Sequence, residues 1–143
     1  MSVNRRGFLS GVSLLAGGVV GVRVDAAQLP GEGMPGWLPT QDPAVVKETV
    51  GVSHGDLKRV RELVERQPAL ANAAIDWGFG DWETALGAAS HMGRREIAEL
   101  LVANGAHPSI FSAAMLGQLD VVKAFVTASP GIQRTLGPHG INL

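Results

Sequence analysis

Histidine is the side chain most often used as a metal ligand or a general base near neutral pH, and this 143-residue sequence has four of them. They are His54, His91, His107 and His139. No pair shows the HxxxH or HxxE spacing that places two ligands on one face of a helix. Each lies in a predicted turn between helices or in a connecting loop, where a polar residue is expected. The spacing therefore predicts no metal site, and the lack of cysteine excludes thiolate ligands, disulfides and cysteine nucleophiles.

Other residues with catalytic potential do not form a recognisable pattern. Ser53–His54 and Ser90–His91 are neighbours in sequence, but adjacency alone does not make a nucleophile–base pair. Gly78-Phe79-Gly80 lacks the lysine of a phosphate-binding loop. The acidic residues alternate with basic ones at helical spacing, which is typical of a solvated helix face. The sequence thus predicts a protein that is not an enzyme and binds no cofactor.

The one unusual stretch is residues 76–83, DWGFGDWE, called the finger below. It holds three of the seven aromatic residues of the chain. Trp77 or Trp82 could fold back over the preceding helices and cover them. Alternatively, aromatic residues flanked by acids are typical of a recognition loop. The sequence leaves both interpretations open.

Short helices must position these residues. Thr84 can N-cap a helix that ends at His91-Met92-Gly93, and a second helix follows, with Gly105 where a C′ glycine belongs. Helices of this length are marginal alone, so their apolar faces need neighbours. The composition allows a core, with 45% hydrophobic and 17% charged residues, and the net charge of −1 gives no reason to expect nucleic acid or an anionic membrane.

Those neighbours are copies of the same unit. When Gly55, Gly93 and Gly117 are superimposed, three columns of apolar residues match on the helices that follow them. The intervals between these glycines are 38 and 24 residues. The matching columns are Val60/Ala98/Val122, Leu63/Leu101/Phe125 and Val64/Val102/Val126.

The central copy resembles the ankyrin repeat, whose pattern combines T-P-L-H-x-A-A, a glycine, a second helix with I-V-x-L-L, and G-A-D. Ala85, Gly87 and His107 depart from it at the usual Pro, His and Asp. The resemblance implies a protein-binding surface formed by fingers and first helices. The matching residues are Thr84, Leu86, Ala89, Gly93, Ile97, Ala98, Leu100, Leu101, Gly105 and Ala106, and the implied protein-binding residues are Trp77, Phe79, Asp81, Trp82, Ser90 and His91.

The resemblance predicts an all-α fold, a short solenoid of about three helix-turn-helix repeats at about 44–75, 81–108 and 109–131, with a fourth starting at 137–143. The first copy has a polar second helix, as a capping repeat needs. The third copy is apolar at the equivalent positions, so we expect it to be uncapped and to favour self-association. The last repeat is interpreted as truncated, which leaves a remnant of a longer protein as an alternative.

The N-terminus resembles a twin-arginine export signal, carried by Arg5, Arg6, Phe8 and Leu9 within residues 1–26. An uncleaved membrane anchor is the alternative. Residues 27–43 are rich in proline and glycine and are interpreted as a linker, in which Trp37 either packs on the first helices or docks a partner.

Together these patterns predict a non-catalytic protein–protein interaction module in the bacterial periplasm. We expect an unidentified protein partner, no nucleic acid, and no membrane in the mature form. The alternative from another class is a small exported accessory protein that binds a cofactor or supports a redox enzyme.

Overall fold

A computed structural model describes residues 41–143 of the chain. These residues form six α-helices, a two-stranded β-hairpin and three short 3₁₀ turns. We call α1–α2, α3–α4 and α5–α6 the first, central and last pairs. The elements are α1 (Pro43–Val52), α2 (Leu57–Arg66), a 3₁₀ turn (Pro68–Asn72), β1 (Ala74–Asp76), β2 (Trp82–Thr84), α3 (Ala85–His91), α4 (Arg95–Ala103), α5 (Ile110–Met115), α6 (Leu119–Ala128), and two further 3₁₀ turns (Ile132–Arg134 and Pro138–Gly140).

The first pair begins each helix on an aspartate. The Asp42 side chain accepts from the backbone N–H of Ala44, and that of Asp56 accepts from the backbone N–H of Arg59 at 2.9 Å. The Arg59 guanidinium also donates to Glu48 at 2.7 Å, which joins the two helices across their partly exposed face. This polar contact agrees with the capping character expected of the first copy.

The central pair supplies the centre of the core. The Thr84 side chain accepts from the backbone N–H of Gly87 at 2.8 Å, so the predicted N-cap is confirmed. Gly105 follows α4 with φ of 88°, the left-handed conformation expected of a C′ glycine. Helix α3 packs against α1 on one side and α5 on the other. Its small buried side chains allow that close approach, and the buried members are Ala85, Leu86, Ala88, Ala89 and Ser90.

The last pair is well capped but poorly covered. Ser109 and Ser112 form a reciprocal capping box at the start of α5. Ile110 and Ala113 of α5 are buried against the central pair. Helix α6, by contrast, has no buried residue. The column residues Val122, Phe125 and Val126 are only half-buried, and Leu119 and Val121 are exposed.

The fold is mostly helical, as predicted, but not all-α. The expectation of an all-α chain missed the hairpin, in which Ala74 pairs with Thr84, Ile75 with Glu83 and Asp76 with Trp82. Three-residue strands give too little alternation to stand out in the sequence. No helix within residues 41–143 has the length and hydrophobicity needed to cross a membrane.

Candidate functional site

The finger is the tip of the β-hairpin. The Asp76 carboxylate accepts from the backbone N–H groups of Gly78 at 2.8 Å and Gly80 at 3.1 Å, which closes the turn. Gly78 and Gly80 have positive φ angles, and Phe79 between them is also left-handed, with φ of 58°. Phe79 is consequently held out at the tip with its ring fully exposed.

Strand β2 sends successive side chains to opposite sides. Trp82 is 64% exposed, whereas the next residue, Glu83, is fully buried. A buried carboxylate is costly unless it is paired. The Glu83 carboxylate therefore needs hydrogen-bonding or ionic partners inside the protein.

Three histidines from separate elements face Glu83. His54 follows α1, His91 is the last residue of α3, and His139 lies in the 3₁₀ turn Pro138–Gly140. Because α1 packs against α3, the His54 and His91 rings lie 5.0 Å apart, edge to face. The His139 ring lies 5.7 Å from that of His91. We call His54, Glu83, His91 and His139 the His–Glu cluster.

One oxygen of Glu83 is the meeting point of the cluster. Its Oε1 lies 2.8 Å from Nε2 of His91, 3.4 Å from Nε2 of His139 and 3.5 Å from Nε2 of His54. One potential ligand atom from each of the four residues lies within 4.8 Å of all the others. These are the residues that could hold a metal ion in the part of the chain that the structure describes.

The outer atoms of the cluster are held by hydrogen bonds. Trp77 Nε1 donates to the second Glu83 oxygen at 2.7 Å. His54 Nδ1 donates to the backbone carbonyls of Val50 and Gly51 at 3.2 and 3.0 Å.

His139 is held by Asp81 at two points. Its backbone N–H donates to Asp81 Oδ1 and its Nδ1 to Oδ2, both at 2.8 Å. The backbone bond, and to a smaller extent the bond from the ring, lower the pKa of the Asp81 carboxyl below its ordinary value. His139 adopts a left-handed φ of 58°, which these two bonds help to maintain.

A groove of about 630 Å³ runs beside the cluster. Its walls are the hairpin, α3, α5 and residues 136–143. Gly87 forms part of one wall, where an added Cβ would lie 3.5 Å from Pro138. That distance is an ordinary van der Waals contact, so the glycine at the usual histidine position lies directly beside the Pro138 turn, which carries His139.

Four of the six predicted protein-binding residues line this groove. They are Asp81, Trp82, Ser90 and His91. Ser90 is nearly buried, and its hydroxyl donates to the Leu86 carbonyl at 2.6 Å, so it offers little to a partner.

The other two predicted residues, Trp77 and Phe79, lie on the hairpin outside the groove wall. Trp77 is 43% exposed. The predicted roles of all six residues in binding remain predictions. Arg5, Arg6, Phe8 and Leu9 of the export signal, and Trp37 of the linker, lie outside the described residues.

The sequence did not reveal the cluster, because its four residues are far apart in the chain and form no local motif. In the sequence, Glu83 stands out only as one of the acids among the aromatic residues of the finger, and His139 lies 56 residues beyond it. A signal was nevertheless present for two members. His54 and His91 each stand within two residues of an inter-helix glycine, in neighbouring copies of the repeat. The inter-helix turns of neighbouring repeats lie side by side, so these two rings could have been placed together.

Comparison with known proteins supports an ankyrin-repeat protein. The family model of the ankyrin repeat matches residues 81–112, which run from the finger to the start of α5 and include Glu83 and His91. No curated protein and no solved structure matches the chain significantly. Ankyrin repeats typically bind other proteins, and this match suggests a protein–protein interaction module.

Proposed function

We propose that this chain is a non-catalytic protein-binding module, exported to the bacterial periplasm, and that it binds its partner at the groove beside the hairpin. The ankyrin-repeat match supports the general role. The binding surface is supported by one observation above all: exposed aromatic side chains stand on the hairpin that forms one wall of an apolar groove, and one of them, Trp82, lines the groove itself. Phe79 is fully exposed and Trp82 is 64% exposed.

Exposed aromatic side chains next to a concave surface are typical of binding hot spots. The groove offers Phe111, Met115 and Ile141 as an apolar lining. Both carboxylate oxygens of Asp81, at its rim, already accept hydrogen bonds from His139. The surface therefore suits a partner that inserts an apolar side chain between Trp82 and α5.

The environment of the serines supports a non-catalytic role. Ser53 Oγ donates to the Thr49 carbonyl at 2.7 Å, and Ser90 Oγ to the Leu86 carbonyl at 2.6 Å. A serine nucleophile would instead have to donate to a neighbouring base. Neither Ser–His neighbour pair has that arrangement.

The binding surface can be tested by site-specific photo-cross-linking in the organism that encodes the protein. A cross-linking amino acid at position 82 should capture a discrete partner, whereas the same residue at the exposed position Glu65 of α2 should not. The variant Phe79→Ala/Trp82→Ala should reduce the amount of that partner copurified by at least about tenfold. Equal capture from positions 82 and 65 would place the interface elsewhere.

Export can be tested separately by fusing residues 1–43 to a fluorescent protein that fluoresces in the periplasm only when it is transported already folded. We expect periplasmic fluorescence that depends on the arginine pair, so Arg5→Lys/Arg6→Lys should abolish it. Arg23→Lys is the matched control within the same segment and should have no effect. Cytoplasmic fluorescence from the unmodified fusion would contradict the export proposal.

The alternative of a small cofactor-binding accessory protein is favoured by one observation, the His–Glu cluster. Its test is the metal content of the purified protein.

A further inference from the structure

The His–Glu cluster collects hydrogen-bond acceptors at one point. A backbone carbonyl can only accept, so the contacts to Val50 and Gly51 require the proton of a neutral His54 to be on Nδ1. The Asp81 carboxylate requires the same of His139. In their neutral forms, both rings therefore direct the lone pair of Nε2 at Glu83 Oε1, which is itself an acceptor.

This arrangement is electrostatically unfavourable without a positive charge between the atoms. Of the three histidine contacts to Glu83, only that of His91, at 2.8 Å, is a hydrogen bond. The approaches from His139 and His54, at 3.4 and 3.5 Å, bring acceptors together without a proton if both rings are neutral. Glu83 is fully buried, and the His54 and His139 side chains are 31% and 37% exposed, so water screens the repulsion only from the histidine side.

We propose that the His–Glu cluster is a binding site for a divalent transition-metal ion of the zinc type, held by Nε2 of His54, His91 and His139 and by Oε1 of Glu83. A cation at this point satisfies all four acceptors at once. Three neutral imidazoles and two carboxylates, those of Glu83 and Asp81, together balance a charge of two. The proposal does not depend on the proposed protein-binding function.

The observed distances are close to those that zinc requires. Donors about 2.0–2.1 Å from a tetrahedral ion lie about 3.3 Å from each other. The His54 and His139 nitrogens already lie 3.5 and 3.4 Å from the Glu83 oxygen. The most distant pair of ligand atoms is within 4.8 Å, so small side-chain movements would complete the site.

The atoms behind the ligands also match a metal site. Metal-bound histidines usually donate their second N–H to a carbonyl or a carboxylate, which fixes the tautomer and the ring orientation. His54 does so to Val50 and Gly51, and His139 to Asp81. Trp77 holds the second oxygen of Glu83 in the same manner. For His91 to bind, the proton on its Nε2 must move to Nδ1 or be released.

The donor set indicates the class of ion. Magnesium and calcium prefer oxygen ligands, whereas imidazole suits zinc, copper, iron and nickel. With three nitrogen donors, one oxygen and no thiolate, a borderline ion such as zinc fits best. The bound ion would connect the end of α1, strand β2, the end of α3 and the Pro138–Gly140 turn.

The test is a titration of the full-length, metal-free protein with zinc chloride, and with cobalt chloride as a spectroscopic probe. We expect one zinc ion per chain with a Kd below about 10 µM, and a rise in Tm of at least about 5 °C with zinc in excess. Cobalt should give the intense visible absorption of a tetrahedral complex. A Kd above about 10 µM, or a weak octahedral cobalt spectrum, would overturn the proposal.

Variants locate the site. His54→Ala and His139→Ala should each weaken zinc binding by about 100-fold or more. His107→Ala is the matched control, because His107 is exposed and does not belong to the cluster, and its affinity should equal that of the unmodified chain. Retention of full affinity by His54→Ala and His139→Ala would place zinc elsewhere and refute the assignment.

One measurement needs no substitution and so cannot fail through misfolding. In the ¹⁵N-labelled chain, zinc should shift the Nε2 resonances of His54, His91 and His139 and leave those of His107 unchanged. An equal response of all four histidines would indicate nonspecific binding. If the three cluster histidines do not respond, their repulsion with Glu83 is relieved by protons rather than by a metal, and the proposal is wrong.

Discussion

The central and last helix pairs have the same repeat pattern but differ in how much of it they bury. Ile97 of α4 and Val121 of α6 both stand four residues after the aligned glycine. Ile97 is 3% exposed, whereas Val121 is 41% exposed. The pattern therefore specifies which face of a helix is apolar, and only the neighbours of the helix determine whether that face is covered.

The position of each pair explains this difference. Helix α3 lies between α1 and α5, and α4 packs against α2, so the central pair is covered by the first pair. In the first pair, the equivalent position is occupied by Arg59, which binds Glu48 at the partly exposed surface. The same position of the repeat is thus charged in the first pair (Arg59), apolar and buried in the central pair (Ile97), and apolar and exposed in the last pair (Val121).

The largest effect that this comparison predicts is on the free energy of unfolding. Ile97→Ala should destabilise the protein by about 2–5 kcal/mol, because it removes buried methyl groups and leaves a cavity. Val121→Ala should change stability by less than about 0.5 kcal/mol, because its side chain already meets water. Urea denaturation followed by circular dichroism measures both. Similar losses in the two variants would show that α6 is covered in solution.

Helix ends were the most predictable part of this fold. The capping role of Thr84 and the C′ role of Gly105 depend on residues within one turn, and the structure confirms both. The repeat columns likewise indicated the buried faces of α2 and α4. Such features are local or periodic, so one sequence is enough to reveal them.

The candidate site was predictable only in part. The finger residues Asp81 and Trp82 were identified from their types and do line the groove. Glu83 and His139 were not, because their roles arise from packing between segments far apart in the chain. Nothing in the local pattern around Glu83 distinguishes a buried carboxylate from an exposed one.

The second prediction concerns the helix caps, which should behave alike in the two pairs. Thr84→Ala and Ser109→Ala should each cost about 1 kcal/mol, because each removes a side-chain acceptor from the first turn of a helix. This contact is local and does not require neighbouring helices. Equal losses of unfolding free energy in the two variants would show that capping does not depend on how well a pair is covered. A negligible loss in Ser109→Ala alone would show that α5 is frayed in solution. Chemical denaturation again provides the measurement.

The third prediction is that the exposed face of α6 promotes self-association. Leu119 is 62% exposed and Val121 is 41% exposed on this helix. Val121→Arg, which copies the charge found at Arg59, should weaken association by a factor on the order of five in sedimentation equilibrium. Asp120→Arg is the control, because it changes the charge of the same helix without removing apolar surface. A chain that is monomeric at all concentrations would contradict the expectation.

The smallest effect is expected from the polar contact of the first pair. The hydrogen bond from Arg59 lowers the pKa of Glu48 below its ordinary value of 4.5. A lowered pKa in the folded state means that the pair stabilises the fold above the ordinary pKa and that this contribution is lost as the pH falls through the folded pKa. The Tm difference between the unmodified chain and Glu48→Gln should therefore be present at pH 7 and be lost as the pH falls below 4.5 and through the lowered pKa of Glu48. The control is Glu65→Gln, which disrupts the exposed pair between Glu65 and Arg61 at 3.9 Å and should change the Tm little at either pH. If the Tm of both variants depended on pH in the same way, Glu48 would have no special role in joining α1 to α2.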